Sequence, residues 1–195
     1  MAKAKTICVY CASSSRVAPL YYETATRLGS LIAQNGITLV TGGGCQGLMR
    51  AVEDGALCEG GKAIGVIPRF MVEAGWHHKA LTELRITENM HERKQLMANL
   101  ADAVIALPGG CGTMEELLEI ITWKQLGLYL NPIVILNIDG FYNHLIEQLN
   151  HAVSEHFMGE IHSKIWSVAT TPEEALSIIS TTTLWDTSIR KYAAL

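Results

Sequence analysis

A glycine-rich segment with two adjacent carboxylates, PGGCGTMEE at residues 108–116, holds the residue types best suited to chemistry in this sequence. Its three glycines carry no side chains that would keep backbone N–H groups away from a ligand. The apolar run 103–107 predicts a buried strand before the segment, and the pattern of residues 117–123 predicts a helix after it. The start of a helix attracts anions, so the segment is a candidate phosphate site. Because Glu115 and Glu116 are predicted to lie in the first turn of that helix, we expect chemistry on a nucleotide rather than binding alone.

The same segment also matches the T-x-x-E pattern of a helix cap, from Thr113 to Glu116. In a capping box, two such side chains reciprocally satisfy the first backbone N–H groups of a helix. Glu116 would then serve the cap, and Glu115 would stabilise the helix dipole. Capping and catalysis do not exclude each other, so both hypotheses stand, and a cap would help to hold a catalytic glutamate in place.

A second segment, NMHERK at residues 89–94, is predicted to open another helix. Asn89 as the N-cap with Glu92 three residues later resembles a capping box, and Arg93 and Lys94 would then be solvated. Two adjacent cations in a first turn oppose the helix dipole, however, at a cost of about 0.3–1 kcal/mol. Their placement is favourable if an anion or a carboxylate faces them. The sequence supports the solvated and the functional interpretation equally.

The sequence GGGCQG at residues 42–47 matches the dinucleotide-binding pattern G-x-G-x-x-G, which is a weak signal alone. A NAD site also needs an acidic residue near the end of the next strand, where this chain has Pro68, Arg69 and Phe70. Arg69 would suit NADP, but the pattern follows the second predicted strand rather than the first. We therefore favour a contact to a mononucleotide or a ribose phosphate, with a tight turn without a ligand as the alternative.

The loop after the first predicted strand contains the serines Ser13, Ser14 and Ser15. Their hydroxyl groups would either donate hydrogen bonds to a phosphate or cap the loop and the following helix. The sequence alone does not separate these two roles.

The five cysteines form an odd set without a paired framework, which favours a reduced protein of the cytoplasm. Cys8 lies inside a predicted strand and Cys11 at its end, and no second pair has the spacing of a zinc site. We expect both thiols to pack as small hydrophobic groups. His151, His156 and His162 do not share one helical face, so we expect no metal site.

Short β-like runs alternate with amphipathic helical stretches along the chain, which indicates a mostly parallel sheet covered on both faces. The predicted fold class is α/β, a single Rossmann-like doubly wound domain over residues 1–195 with its core at about 5–180 and a tail at 181–195. Ligands of such folds bind outside the carboxyl ends of the strands. The predicted strands span 6–10, 37–40, 63–67, 83–86, 103–107, 132–136 and 165–169, and the predicted helices span about 19–34, 45–59, 89–100, 117–123, 141–156 and 171–179.

Composition excludes several classes of protein. With 195 residues, 49% hydrophobic and 17% charged, the chain is expected to be globular and ordered. Its net charge of −4 and the lack of a lysine or arginine run argue against nucleic acid as a partner. No segment has the apolar length of a membrane span, and the apolar run near the N-terminus is too short for a signal peptide. A small anionic ligand is compatible with this composition and net charge.

The pair of motifs M-x-x-R-K, at residues 90–94, and P-G-G-x-G-T-x-x-E, at residues 108–116, resembles the LONELY GUY (LOG) family, often misnamed lysine decarboxylase. The VYCASS start, the TGGG turn, the VIPR strand end and the TW dipeptide at 122–123 are also similar to that family. The resemblance spans roughly residues 5–180. It implies a phosphoribohydrolase that cleaves the N-glycosidic bond of N6-modified adenosine monophosphates, releasing the free base and ribose 5-phosphate.

The resemblance also implies roles for individual residues, with Arg93 and Glu116 as the catalytic pair. Arg93 would either hold Glu116 in position or bind the phosphate, and both options are open. Where plant members carry an acidic residue, this chain has Phe70, which leaves its preference for the base or its substituent open. Substrate contacts are expected from Lys94, Gly109, Gly110, Cys111, Gly112, Thr113, Met114, Glu115 and Thr122, and further contacts from Met90, Ser13 and Gly43.

The resemblance implies a reaction that requires no metal or redox cofactor. It also implies a homodimer in which residues of both chains lie near the site. Two alternatives remain: an AMP nucleosidase that prefers unmodified AMP, and a carrier of a nucleotide or of molybdenum cofactor without catalysis. Lysine decarboxylation with pyridoxal phosphate is not expected, because nothing in the sequence distinguishes a Schiff-base lysine with a cofactor-holding domain.

Overall fold

In the computed structural model, which describes residues 4–192, seven parallel strands form one sheet. The strand order is β4-β3-β2-β1-β5-β6-β7, and each neighbouring pair is parallel. This confirms the predicted α/β, doubly wound architecture. The strands are β1 (Thr6–Tyr10), β2 (Thr38–Thr41), β3 (Ala63–Pro68), β4 (Glu83–Thr87), β5 (Ala103–Ala106), β6 (Ile133–Leu136) and β7 (Ser167–Ala169).

Helices connect the strands and cover both faces of the sheet. Within the described residues they are α1 (Pro19–Gln34), α2 (Gly47–Cys58), α3 (Arg69–Glu73), α4 (Met90–Leu100), α5 (Cys111–Gln125), α6 (Asn143–Ser154) and α7 (Pro172–Thr181), with short 3-10 helices at Ile138–Gly140, Glu160–Lys164 and Thr187–Tyr192. The one-turn helix α3 stands where the sequence predicts only a loop. None of the helices in residues 4–192 has both the length and the apolarity to cross a membrane.

The core consists of two apolar layers, one on each face of the sheet. Alternate residues of a strand point to opposite faces. Ile7 and Val9 of β1 therefore pack in the layer with α1, α2 and α7, whereas Cys8 and Tyr10 pack in the layer with α4, α5 and α6. Cys8 is fully buried there as a free thiol, and Cys11 is buried in the opposite layer, as predicted for both.

The site is positioned where the order of connections reverses, between β1 and β5. Strand β1 pairs with β2 on one side and with β5 on the other. The loops after β1 and β5 lead to helices on opposite faces of the sheet, which leaves a crevice between them. The ladder continues beyond the strands: Leu107 N donates to Tyr10 O at 2.9 Å, and Ala12 N donates to Pro108 O at 3.3 Å. These bonds hold the serine loop beside the PGGCG segment.

The C-terminal tail packs against the end of α5. Ile189 is buried, Arg190 donates to Gly127 O at 3.2 Å, and the Trp185 ring lies 5.0 Å from Lys124 Nζ. Burial lowers the pKa of Lys124 to about 8, and Lys124 donates to Asn131 O at 2.8 Å. The last three tail residues, 193–195, lie outside the described residues.

Candidate functional site

A cavity of about 270 Å³ opens at the carboxyl ends of β1 and β5. The loop after β1, the start of α4 and the first two turns of α5 form most of its wall. Its position is the one expected for a ligand site in a doubly wound sheet. The lining residues are Cys11, Ala12, Ser13, Ser14, Met49, Met90, Arg93, Gly110, Gly112, Thr113, Glu115 and Glu116.

Helix α5 begins earlier than predicted, at Cys111 rather than near residue 117, and this changes the interpretation of the two glutamates. Gly110 is its N-cap, in an extended conformation and without a side-chain cap. Glu116 is consequently in the second turn, and no acidic residue lies in the first. Both the first-turn placement and the Thr113–Glu116 capping box are therefore wrong.

Thr113 takes part in packing instead of capping. It is 4% exposed, and a Cβ placed on Gly109 would approach its Oγ1 to 2.1 Å. Glycine at 109 thus allows the turn to close over Thr113. The helix itself, and not a cap, fixes the direction of Glu116.

The start of α5 provides the groups that suit an anion. The N–H groups of a helix's first turn have no intrahelical acceptor, and the helix dipole adds a partial positive charge there. A Cβ on Gly110 or Gly112 would meet nothing within 4 Å, although both residues line the cavity. The protein leaves this space unfilled, as an anion site at the start of a helix requires.

Arg93 is buried, so the solvated interpretation of the α4 cations is wrong. The side chain donates from Nε to Val66 O at 3.0 Å and from Nη2 to Gly42 O at 3.3 Å. Its Nη1 lies 3.8 Å from Glu116 Oε1, an ion pair without a hydrogen bond. The two carbonyl groups fix the guanidinium so that its charge faces the carboxyl group.

Glu116 has the electrostatics of a proton-transfer group. Burial raises its pKa to about 7, although the positive charge of Arg93 opposes the rise. Its side chain is about one-tenth exposed, at the wall of the cavity. A carboxyl group that titrates near neutral pH is suited to general acid–base chemistry, because both of its forms are accessible.

Lys94 links α4 to α5. Its Nζ donates to Glu115 and, at 3.1 Å, to Glu119. Burial alone would lower the pKa of Lys94, but its hydrogen bonds to the two carboxylates outweigh burial and raise it. The adjacent cap forms as predicted on one side, since Glu92 N donates to Asn89 Oδ1 at 2.9 Å.

The G-x-G-x-x-G pattern is explained by close packing in this structure. A Cβ on Gly42 would lie 1.8 Å from Arg93 Nη2. Gly47 has a φ of +64°, and its Cβ would lie 2.6 Å from the carbonyl carbon of Ser13. The first glycine therefore makes room for the guanidinium, and the last lets α2 approach the serine loop.

A second cavity, of about 250 Å³, adjoins the first and shares Ser13 and Met49 with it. None of the described residues that line it has a charged side chain, and its largest side chains are aromatic, aliphatic or thioether groups. Trp76 lies at its rim with half of its surface exposed. The remaining lining residues are Gly42, Gly44, Cys45, Gln46, Ile67 and Met71.

The structure brings together most of the predicted site residues. Those that line the first cavity are Ser13, Met90, Arg93, Gly110, Gly112, Thr113, Glu115 and Glu116. Those that line neither cavity are Gly43, Lys94, Gly109, Cys111, Met114 and Thr122. Thr122 is exposed and donates to Leu118 O at 2.8 Å. The roles of this second group as substrate contacts stay predictions.

Sequence reasoning missed the apolar wall of the site. Met71 and Trp76 belong to α3 and the loop after it, far from the motifs in sequence, and Met49 belongs to α2, two residues after the G-x-G-x-x-G pattern. The only signal was the apolar character of a segment predicted to be a loop. Among residues 4–192, no group of three or more His, Cys, Asp or Glu residues is placed to hold a metal ion.

Known proteins are similar to this chain over most of its length. A family model described as possible lysine decarboxylase matches residues 49–179. The cytokinin riboside 5′-monophosphate phosphoribohydrolase LOG of Oryza sativa subsp. japonica is 45% identical over 171 residues, 87% of this chain and 70% of that protein. The corresponding enzyme LOG7 of Arabidopsis thaliana is 44% identical over 161 residues, 83% of this chain and 74% of that protein.

Solved structures share the fold at lower identity. The molybdenum cofactor binding protein from Rippkaea orientalis matches with a TM-score of 0.68 and 26% identity, over 89% of this chain and 94% of that one. The Moco carrier protein from Chlamydomonas reinhardtii matches with a TM-score of 0.70 and 24% identity, with the same coverage. At that identity the second likeness bears on the fold alone.

Proposed function

Because this chain belongs to the LOG family, which the family model and the identity to curated plant relatives establish, we propose that it hydrolyses N6-modified adenosine 5′-monophosphates. The products are the free base, a cytokinin, and ribose 5-phosphate. One observation carries the proposal: Glu116, whose pKa is about 7, lines the same cavity as the start of α5.

The proposed reaction breaks the bond between C1′ of the ribose and N9 of the adenine. The base leaves with the bonding electron pair and takes up a proton from solvent, to which Glu116 later returns the proton that it accepts, while C1′ takes on oxocarbenium character. The Glu116 carboxylate stabilises this positive charge and accepts a proton from the water that adds to C1′. The balance is one water consumed, one base and one ribose 5-phosphate formed.

Arg93 is proposed to act on Glu116 rather than on the phosphate. Its Nε and Nη2 are occupied by Val66 O and Gly42 O, and Nη1 faces the carboxyl group. The charge of Arg93 keeps enough of Glu116 ionised at neutral pH for it to act as a base. The phosphate is assigned instead to the start of α5, with the hydroxyl groups of the serine loop nearby.

The apolar second cavity supports a preference for N6-modified nucleotides over AMP. The two cavities meet at Ser13 and Met49. A base released in the first cavity, which Glu116 lines, therefore lies next to the second cavity. An apolar substituent gains from burial between Met71 and Trp76, whereas the bare amino group of AMP does not. An AMP nucleosidase uses the same catalytic residues and differs only in the relative kcat/KM for the two substrates.

The positions of the lysines argue against lysine decarboxylation. A Schiff base needs a lysine amine in the reacting cavity. None of the described residues that line the first cavity is a lysine. The amines of the buried Lys94 and Lys124 are held by carboxylates and by a backbone carbonyl, respectively.

The proposal extends to assembly and location. We propose a cytoplasmic homodimer, because five free cysteines fit a reducing compartment and apolar side chains are exposed around α5. Leu118, Leu126 and Leu128 are 40%, 42% and 64% exposed. Light scattering of the purified protein checks this: twice the 21.3 kDa chain mass supports a dimer, and a single chain mass contradicts it.

The direct test compares isopentenyladenosine 5′-monophosphate with AMP and measures free base and ribose 5-phosphate by chromatography. We expect equal amounts of the two products, with the modified substrate preferred. E116Q and R93Q should abolish turnover, and E147Q, which changes an exposed glutamate on α6, should not. No base from either substrate at high enzyme concentration would refute the hydrolase, and tight binding without turnover would point to a carrier.

A further inference from the structure

A second buried carboxyl group lies behind the site and takes no part in the reaction described above. Glu53 of α2 is completely buried. The Thr41 hydroxyl, at the end of β2, donates a hydrogen bond to its Oε1. Its other oxygen, Oε2, is buried and has no hydrogen-bond partner among the described residues. An apolar side chain would be less costly at such a position, so the presence of a carboxyl group calls for a reason.

Thr41 connects Glu53 to the turn formed by residues 42–44. The Thr41 hydroxyl group accepts a hydrogen bond from Gly43 N at 3.1 Å and donates its own to Glu53 Oε1. On the opposite side, Gly43 O accepts from His78 N at 2.9 Å. The turn is thus fixed at both the N–H and the carbonyl group of Gly43.

The same turn holds the catalytic guanidinium. Gly42 O accepts from Arg93 Nη2, and Gly42 leaves the space that this nitrogen occupies. A displacement of the turn moves an acceptor of Arg93 and hence the distance between Nη1 and Glu116. Active sites are sensitive to such movement, since about 1 Å of misplacement can cost about 100-fold in rate.

We propose that Glu53 is a positioning residue for the hydrolysis: through Thr41 it fixes the 42–44 turn and thereby the Arg93 guanidinium that faces Glu116. The inference rests on the proposed function for its activity readout. Glu53 is not among the residues that line either cavity, so it acts through Thr41 and the turn.

The neutral carboxylic acid is the form that performs this role at neutral pH. Burial raises the pKa of Glu53 to about 8, while the hydrogen bond from Thr41 opposes the rise. The titratable groups that face it are Cys11 after β1 and Asp54 beside it on α2, and neither supplies a positive charge. Asp54 is itself held by Arg50 at 3.1 Å and by His78 at 2.9 Å. Ionisation of Glu53 therefore meets no facing positive charge and only the hydrogen bond from Thr41, so the buried carboxylate is expected to draw in water and loosen the turn above pH 8.

The first experiment separates kcat from KM in E53L, T41V and E53Q. E53L and T41V should each lower kcat about 10-fold or more and change KM less than about threefold, because the phosphate site on α5 is untouched. The double variant should lose little beyond either single variant, since both break one chain of contacts. E53Q restores the hydrogen bond with a neutral group, so it should recover most of kcat and lack the decline above pH 8.

A second experiment detects the position of Arg93 without catalysis. In protein with ¹³C-labelled glutamate, the Glu116 signal is assigned by its loss in E116Q, and its pKa is measured by titration. Removing the nearby guanidinium charge raises a carboxyl pKa, so E53L or T41V should raise that of Glu116 by about 0.5 or more. E59Q, which changes an exposed glutamate next to the end of α2, is the matched control and should leave it unchanged.

The outcomes decide between the two proposals. If the wild type is active and T41V has the same kcat and the same Glu116 pKa as the wild type, Glu53 has no positioning role. The proposed hydrolase activity is unaffected by that result. A wild-type protein that releases no base overturns the hydrolase, and the NMR titration still decides whether Glu53 positions Arg93. If E53L does not fold, T41V and the pH profile of E53Q give the answer.

Discussion

The Nη2 atom of Arg93 occupies the space that a side chain on Gly42 would need. A Cβ at residue 42 would lie 1.8 Å from that nitrogen, a separation at which one of the two groups must move. Because Gly42 O is also an acceptor for Arg93, the glycine both makes room for the guanidinium and holds it. Through this contact, the glycine-rich turn after β2 positions the ion pair between Arg93 of α4 and Glu116 of α5.

G42A should therefore damage catalysis more than folding. The added methyl group pushes the guanidinium away from Glu116, and we expect kcat to fall at least about 100-fold. G159A is the matched control, because its Cβ would meet nothing closer than the His162 ring at 3.7 Å and Gly159 lines neither cavity. Steady-state kinetics and thermal melting of both variants check this. Equal kcat in the two variants would show that the space at residue 42 is unimportant.

The pH dependence of kcat/KM should report Glu116. The proposed base must be ionised, and its pKa in the folded protein is about 7, so kcat/KM should fall about tenfold per pH unit below that value. A profile measured from pH 5 to 8 checks the prediction. A flat profile down to pH 5 would contradict it.

Glu116 should also contribute to the pH dependence of stability. Burial raises its pKa in the folded state above the value of about 4.3 expected in the unfolded chain. The folded protein therefore holds this proton more tightly, and the associated stability is present below pH 4.3 and lost as the pH rises through 7. Urea denaturation at pH 5 and pH 8 should show a smaller difference in unfolding free energy for E116Q than for the wild type. An equal difference in the two proteins would count against the buried carboxyl group.

Lys94 should matter for the docking of α4 on α5. K94M retains the length of the side chain but leaves Glu115 and Glu119 without their shared cation, and should lower the unfolding free energy by about 1–3 kcal/mol. E115Q should cost less, because Glu119 still pairs with Lys94 and because Glu115 is half exposed. Denaturant unfolding of the three proteins checks the order. A K94M protein as stable as the wild type would mean that this clamp is energetically neutral.

The second cavity should control the preference for the substituted base. W76A removes an indole from its rim, and we expect kcat/KM for isopentenyladenosine 5′-monophosphate to fall about 10-fold while that for AMP changes less than about threefold. W123A, which removes a partly buried tryptophan on α5 outside both cavities, is the control for a general loss of packing. Equal losses on both substrates in W76A would place the substituent elsewhere.

Sequence patterns predicted the framework of the site because the relevant constraints are local. Apolar runs ending at Tyr10 and Leu107 marked β1 and β5, and parallel strands bring their carboxyl ends to one edge. The patterns gave the wrong start for α5, because Gly112 has a low helix propensity and yet lies in its first turn. The tertiary packing of Thr113 against Gly109 outweighs that local preference, and the space beside Gly110 stays open.

Other parts of the site depend on contacts between distant segments. The sequence supports the solvated and the functional interpretation of Arg93 equally. The structure decides between them, because β3, the turn after β2 and α5 each provide a partner for its side chain. Glu53 gave no signal in the sequence, since its partner Thr41 lies in another element. Met71 and Trp76 were likewise assigned to a loop, and only the fold shows that they border the site.

The central claim is that Glu116 and Arg93 form the reacting centre of a nucleotide N-glycosidase. Its most direct test is the time course of base release from isopentenyladenosine 5′-monophosphate by wild-type protein, E116Q and R93Q. We predict stoichiometric free base and ribose 5-phosphate from the wild type, and no release above background from either variant while each remains folded. Turnover that persists in both variants, or a wild type that binds the nucleotide and releases no base, would contradict the account.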